Sequence, residues 1–211
     1  MDLYIDELKY KLTHFEGELP GWESQQKLSP PYRDRFDIES VKKANPRAAA
    51  VLIMLYENDD GDIEFPVTLR QIYQGVHSNQ ISLPGGAFEP EDIELSRTAV
   101  RETCEELGVY EEDIEIALQL TELYIPPSNF LVYPFVGFYK GVPNFDIQSY
   151  EVQQVVPLDL GAFLRAESLN FEREFGGHRV EIPGYDLGEN EYIWGATAMI
   201  LSEFADLTEM L

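Results

Sequence analysis

The sequence predicts one domain of the α/β or α+β class, and three observations carry that expectation. Apolar runs of strand length at 48–56, 63–69, 114–123 and 131–139 alternate with segments of helical period. A chain of 211 residues with 44% hydrophobic side chains can bury a sizeable core. No run of eighteen apolar residues occurs, so no membrane-spanning helix is expected.

Residues 2–14 read as a helix with Leu3, Leu8 and Leu12 inward. Glu16 to Asn45 is a polar, Pro-rich connection with a short helix at Ile38–Lys43. Ala48–Tyr56 is apolar enough for a buried strand, and Glu57-Asn58-Asp59-Asp60-Gly61-Asp62 turns it into a second strand at Ile63–Leu69. That turn has the acids of a calcium loop but not the ligand order, so a hairpin is the better reading. Ile81–Leu83 is short and strand-like and leads into a turn at Gly85-Gly86. After the helix at 95–107, strands are expected at Ile114–Leu123, Leu131–Tyr139 and Val152–Pro157. A helical stretch at Ala162–Arg165, a hairpin at Phe171–Ile182 over Gly176-Gly177 and a closing helix at Trp194–Met210 follow.

The helix at 95–107 carries the chemistry. Leu95, Ala99, Thr103 and Leu107 recur at four-residue spacing with Val100 beside them, a stripe that packs on a sheet. Asp92 after Pro90 is placed to cap it, with Glu94 in the first turn, and Gly108 suits the left-handed residue that ends it. Glu102, Glu105 and Glu106 fall within an arc of about 100° on the solvent side. Like charges so close destabilise a helix unless neutralised, and a hard divalent cation, Mg²⁺ or Mn²⁺, is the natural neutraliser. The plain alternative is a solvated acidic face. The glycine pair upstream and Arg101 among the acids argue against it.

These residues resemble the Nudix box: Gly, five residues, Glu, seven residues, Arg-Glu, an aliphatic residue, any residue, Glu-Glu, any residue, Gly, aliphatic. Arg101, Glu102, Glu105, Glu106, Gly108 and Val109 fall on matching positions, with Thr103 at the aliphatic one. The front half departs: Ile93 stands where a Glu is usual, and Gly86 lies one residue too far upstream. This expansion, through Glu89-Pro90-Glu91-Asp92, resembles the coenzyme A pyrophosphatase subgroup of Nudix hydrolases. Arg70 and His77 keep the spacing of that subgroup's upstream signature, while Asn79 and Leu83 replace its Gly and Phe. Ile125-Pro126-Pro127-Ser128 and Ile193-Trp194-Gly195-Ala196-Thr197-Ala198 are also similar to it.

The resemblance implies a mixed sheet sandwiched between helices, and a single domain over 1–211 with the helix and Pro-rich connection of 1–45 packed onto it. It implies metal ligation by Glu102, Glu105 and Glu106, with the Gly85 carbonyl as a further ligand. Arg101 is expected to hold a glutamate by a bidentate ion pair. The resemblance implies a glutamate as general base, expected to be Glu102 or Glu105, with Glu151 as a loop candidate. Arg70, His77 and Ser128 are candidates for substrate contact, and Arg70 and Arg101, with Arg47 and Lys140 behind them, are candidates for the cations that offset the acidic surface around a pyrophosphate. Homodimers are common among the relatives the resemblance points to.

Charge and cysteine content bound the partners. Residues 1–47 hold 8 basic and 9 acidic side chains, and the remaining 164 hold 7 and 30, which places nearly all of the net −24 in the second part. Such a surface repels nucleic acid and anionic membranes. It also repels a pyrophosphate unless cations and placed arginines reverse the potential locally. The acidic N-terminus lacks the basic start of a secretory signal, and the single Cys104 fits a reducing cytoplasm. Cys104 lies at the edge of the buried stripe and reads as a packed thiol.

The leading expectation is metal-dependent hydrolysis of coenzyme A or its derivatives to adenosine 3′,5′-bisphosphate and 4′-phosphopantetheine. A second is hydrolysis of another nucleoside diphosphate derivative, such as ADP-ribose or a dinucleotide. A third, a noncatalytic ligand-binding module, has no use for clustered carboxylates.

Overall fold

Most of the expected elements are present, with four departures. The computed structural model describes residues 4–70, 80–147, 152–175, 178–188 and 191–211, the side chains of Arg70, Phe175 and His178 excepted. The chain begins with α1 (Ile5–Thr13), α2 (Trp22–Gln25) and α3 (Ile38–Lys43). Four strands follow: β1 (Arg47–Glu57), β2 (Ile63–Arg70), β3 (Ile81–Ser82) and β4 (Gly85–Ala87). Then come α4 (Leu95–Leu107), β5 (Ile114–Gln119), β6 (Leu123–Ile125), β7 (Phe130–Tyr139), β8 (Val152–Asp159) and α5 (Leu160–Arg165). β9 (Leu169–Phe175), β10 (His178–Gly188), β11 (Glu191–Trp194) and α6 (Gly195–Met210) complete it.

The centre is a parallel pair, β1 beside β7, in register from Arg47↔Phe130 to Leu55↔Phe138. Each of these strands has two partners in succession along its other edge. β1 pairs with β4 at Ala49–Val51 and with β2 only at Tyr56 and Glu57. β7 pairs with β6 at Phe130–Val132 and with β5 from Phe135 to Tyr139. β2 continues the sheet through β3 and β8. The sheet thus parts near the amino ends of its central strands, and β4 enters the opening. A second antiparallel sheet has the order β11–β10–β9.

Side chains of β1 alternate between two layers, as the period of a strand requires. Ala50, Leu52, Met54 and Tyr56 pack with Ala99 and Leu107 of α4. Ala49, Ile53 and Leu55 face the other way, into a core with Leu8 and Leu12 of α1 and Phe204 and Leu207 of α6. Sheet strands buried on both faces between α4 and α1/α6 make the helix–sheet–helix sandwich that the resemblance implies. No helix among the described residues is long and apolar enough to cross a membrane.

The departures have physical causes. Gly85-Gly86 is not a free turn but the start of β4, hydrogen-bonded along β1. The strand expected at Ile114–Leu123 is broken into β5 and β6. A bulge lies between Ile116 and Leu118, and the Thr121 N–H leaves the sheet to donate to Glu203. β11 continues the hairpin of β9 and β10 into a third strand, and α2 breaks the polar connection. Asn58 closes the β1–β2 hairpin by accepting from the backbone of Asp60 and Asp62, turn chemistry rather than calcium ligation. Leu3 and Gly176-Gly177 lie outside the described residues.

Candidate functional site

The glycine pair lets β4 and α4 touch. A Cβ on Gly85 would meet the Ala50 carbonyl oxygen at 2.3 Å, and its φ of +152° disfavours any side chain. A Cβ on Gly86 would meet the carboxylate of Glu102 at 2.4 Å. So Gly85 is required by the neighbouring strand, and Gly86 by the glutamate. The Gly85 N–H donates to Oε2 of Glu106 at 3.2 Å, a second tie between strand and helix.

The three glutamates do not share one solvent-facing surface, contrary to the sequence reading. Glu106 is 4% exposed, because it borders the buried stripe and sits under β4. The Glu102 side chain is 19% exposed and that of Glu105 is 59% exposed. The series runs from core to solvent along the opening between β4 and α4.

Arg101 is the second correction. Its bidentate partner is Asp92, not a glutamate. Nε donates to Oδ1 at 2.7 Å and Nη2 to Oδ2 at 3.1 Å, while Nη2 also reaches the Ala87 carbonyl at 3.1 Å. Nη1 lies 3.0 Å from Glu102 and 3.4 Å from Glu105. One guanidinium therefore bridges the loop, β4 and two of the three acids. Asp92 does not cap α4, whose N-cap is Glu94. It is buried and accepts from the Glu89 N–H and the Thr98 hydroxyl as well as from Arg101. These donors, Arg101 first, hold its carboxyl well below the usual carboxylate range and raise the guanidinium in turn. The backbone turns at Ile93, whose φ of +66° is costly for a β-branched residue and whose side chain is 90% exposed. Gly108 ends α4 in the left-handed region, as expected. Cys104 is half-buried, and burial with the nearby Glu111, Glu105 and Glu112 pushes its thiol up to about 11, which favours the protonated form of a packed thiol.

No three His, Cys, Asp or Glu side chains among the described residues stand close enough to form a ready-made cation site. The donor chemistry nevertheless fits a hard divalent ion. Three carboxylates line one opening, one of them is buried, and the Arg101 guanidinium lies between the other two, where charge repulsion otherwise spreads them.

Beside Gly85 and Gly86 opens a cavity of about 740 Å³, walled mainly by apolar residues of β1, β3 and β7, by residues 30–36 and by the start of α6. The sequence reading missed the contribution of residues 30–36, which carry no motif. Arg33 from this segment is half-buried. Its Nη2 donates to the Tyr124 carbonyl, while its buried Nε has no partner among the described residues. An unsatisfied buried donor costs about 1–3 kcal/mol. Trp194 lines the cavity with Arg173 stacked 4.7 Å over its ring.

The expected substrate contacts divide. Arg70 ends β2, paired in backbone register with Val152, and its side chain lies outside the described set. His77 and Glu151 lie outside the described residues altogether. Pro126 and Pro127 line the cavity, whereas Ser128 donates back to the Ile125 carbonyl at 3.4 Å, as turn residues do. Arg47 stacks on Phe130 at 4.2 Å. Lys140 follows the far end of β7, six residues or about 20 Å beyond the strand position opposite Gly85.

Comparison with known proteins gives one consistent result. A family model described as the NUDIX domain matches residues 46–174. Nudix hydrolase 15, mitochondrial, of Arabidopsis thaliana is 36% identical over 169 residues, covering 77% of this chain and 59% of that protein. Nudix hydrolase 22, chloroplastic, of the same plant is 35% identical, and the chain spans 53% of its length. The uncharacterized Nudix hydrolase NudL of Pectobacterium atrosepticum is 33% identical over 178 residues, 81% of this chain and 90% of that protein. Among solved structures, the Nudix hydrolase RenU of M. Smegmatis superposes with a TM-score of 0.52 at 12% identity, covering 87% of this chain and 94% of that one. A MutT/nudix family protein of Enterococcus faecalis gives 0.51 at 15%, covering 99% and 76%. At such identities these two show the fold alone.

Proposed function

The chain belongs to the Nudix hydrolase family, and from that premise we propose that it cleaves the pyrophosphate bond of coenzyme A or an acyl-CoA. The products are adenosine 3′,5′-bisphosphate and 4′-phosphopantetheine. The observation that carries the reading is the packing of the Glu102 carboxylate on Gly86, with Glu106 buried beneath the Gly85 N–H and Arg101 locked by Asp92. Nudix hydrolases generally use divalent cations. Mg²⁺ or Mn²⁺ bound here supplies charge screening of the phosphates and a water of lowered pKa.

The chain's own residues hold and orient. Glu106, Glu102 and Glu105 provide the hard oxygen donors, with the Gly85 carbonyl as an added ligand. Arg101 fixes the rotamer of Glu102, and Asp92 fixes Arg101. Glu102 or Glu105 takes the proton of the attacking water, Glu151 being the loop alternative. Arg70, His77 and Ser128 contact the substrate beyond the anhydride. The coenzyme A assignment is supported by the spacing of Arg70 and His77 and by the expanded loop before α4. Leu83, buried in the core where the subgroup has Phe, favours the second reading of ADP-ribose or a dinucleotide. A homodimer and a cytoplasmic location complete the proposal. The second rests on a single cysteine, while two relatives carry mitochondrial and chloroplastic in their names.

A substrate panel with Mg²⁺ and Mn²⁺, read by mass spectrometry of the products, tests the substrate and the metal dependence. The expected result is 4′-phosphopantetheine from coenzyme A, abolished by chelator. Preference for ADP-ribose moves the assignment to the second reading. Hydrolysis that persists in excess chelator refutes the metal site.

A further inference from the structure

The cavity beside the glycine pair extends well past the place where an anhydride would be cut, and its far wall holds a cation. Arg33 is the one Lys or Arg among the described residues lining it. Its position follows from the sheet. The Tyr124 carbonyl that accepts from Nη2 lies on β6, opposite Leu131 of β7. β7 pairs with β1, and β1 carries β4 opposite Ala50. Across the strands, three spacings therefore separate the Tyr124 backbone that anchors Arg33 from Gly86, about 14 Å.

We propose that Arg33 receives a phosphate monoester borne by the nucleoside part of the substrate, at the opposite end of the cavity from the scissile anhydride. The inference rests on the reading of the α4 site as a nucleoside diphosphate hydrolase and specifies which members of that class it takes. Arg33 has no carboxylate within ion-pair distance among the described residues, and Asp34 on the same wall is exposed. A guanidinium stays charged when buried and presents its N–H groups as a fork matched to phosphate oxygens. One Nη is already fixed by Tyr124, which holds the fork in place, and the buried Nε awaits an acceptor. Desolvation by burial, opposed by Tyr32, lowers the Arg33 pKa, the mark of a cation kept from water. Residues 1–47, which carry Arg33, are nearly balanced in charge within a chain of net charge −24, so an anionic ligand is favoured on this wall over the strongly acidic remainder. The adjoining Trp194, Phe36 and Ile81 give the nucleobase and sugar an apolar surface.

The test measures binding and turnover separately. Calorimetric titration without divalent ions compares adenosine 3′,5′-bisphosphate with adenosine 5′-monophosphate. Steady-state kinetics compares coenzyme A with its 3′-dephospho form. The wild type is expected to favour the 3′-phosphorylated ligand by about 10- to 100-fold, the weight of a charge-assisted pair. Arg33→Gln removes that preference through KM, with the 3′-dephospho substrate changed less than about twofold; Arg33→Lys, which keeps the charge and guards against misfolding, retains part of it. Absence of bisphosphate binding to the wild type, or equal losses for both ligands in Arg33→Gln, overturns the proposal. A bisphosphate preference that Arg33→Gln abolishes, in a protein that hydrolyses no coenzyme A, upholds the subsite and refutes the assigned reaction instead.

Discussion

α4 and α6 each bury a glutamate, and the two sites differ in what surrounds the carboxylate. Glu203 of α6 is 0% exposed and accepts from the Gly21 N–H, the Thr121 N–H and the Gln25 amide at 3.2, 3.1 and 2.8 Å. Every one of those donors is neutral and belongs to a distant stretch of chain. Lys27 and Ser24 add ties to Asp206 one turn on. Glu203 therefore fastens α2 and the β5–β6 connection to α6. Glu106 of α4 lies under a backbone N–H too, but its neighbours around the helix are two more acids and an arginine already committed to Asp92. Burial of a carboxylate is thus common to architecture and chemistry. What separates them is whether neutral donors satisfy the charge or further negative charge is gathered beside it.

The largest expected effect breaks this comparison if it fails. Glu102→Gln keeps size and shape, and should lower kcat/KM by about 10²- to 10⁴-fold if the residue acts as ligand or base. Its Tm should hold or rise, since one of three repelling charges is gone. A loss of activity that merely tracks a fall in Tm would class the α4 cluster with Glu203 as structural.

The glycine pair sharpens it within two adjacent residues. Gly85→Ala drives a methyl into the Ala50 carbonyl at a φ of +152°, and should cost about 1–3 kcal/mol or more of stability. Gly86→Ala presses on the Glu102 carboxylate, a side chain that can yield. Activity should therefore fall further than Tm in Gly86→Ala and alongside it in Gly85→Ala. Thermal melts and kinetics on both variants decide.

Glu203→Gln should show the converse of Glu102→Gln. A Gln cannot accept from all three donors, and one amide is left facing another. A cost of about 2 kcal/mol lowers Tm by roughly 4–8 °C in a chain of this size. Turnover per folded molecule should stay within about twofold at temperatures below the transition.

How much of this was legible in the sequence depended on where each partner lies. The α4 stripe, its Gly108 end and the central strands were readable because their causes are local: spacing, a left-handed position, apolar runs. Glu203 was not. Within an apolar closing helix it is a lone acid, and its partners come from residues 21, 25 and 121. Arg33 and residues 30–36 were passed over for the same reason, since only the sheet's opening gives them a role. Asp92 was read as a cap from its place after Pro90, a sound local rule. Arg101, nine residues on and facing back along the helix, overrode it.

That override gives the last effect, a stability difference that changes with pH only in acid. With its pKa held below the ordinary carboxylate range by Arg101, Asp92 contributes stability in full at pH values above its unfolded pKa, near 4. The contribution drains away as pH falls from about 4 towards the depressed folded value. The Tm of wild type minus that of Asp92→Asn should therefore be positive and flat from about pH 7 to pH 5 and shrink below about pH 4. At neutral pH the variant should also lose about 10- to 100-fold in activity, because Arg101 is released from the geometry that orients Glu102. A Tm difference constant across the acid range would mean that Arg101 does not hold Asp92 in solution. The role of Arg101 would then reduce to its contacts with Ala87 and the two glutamates.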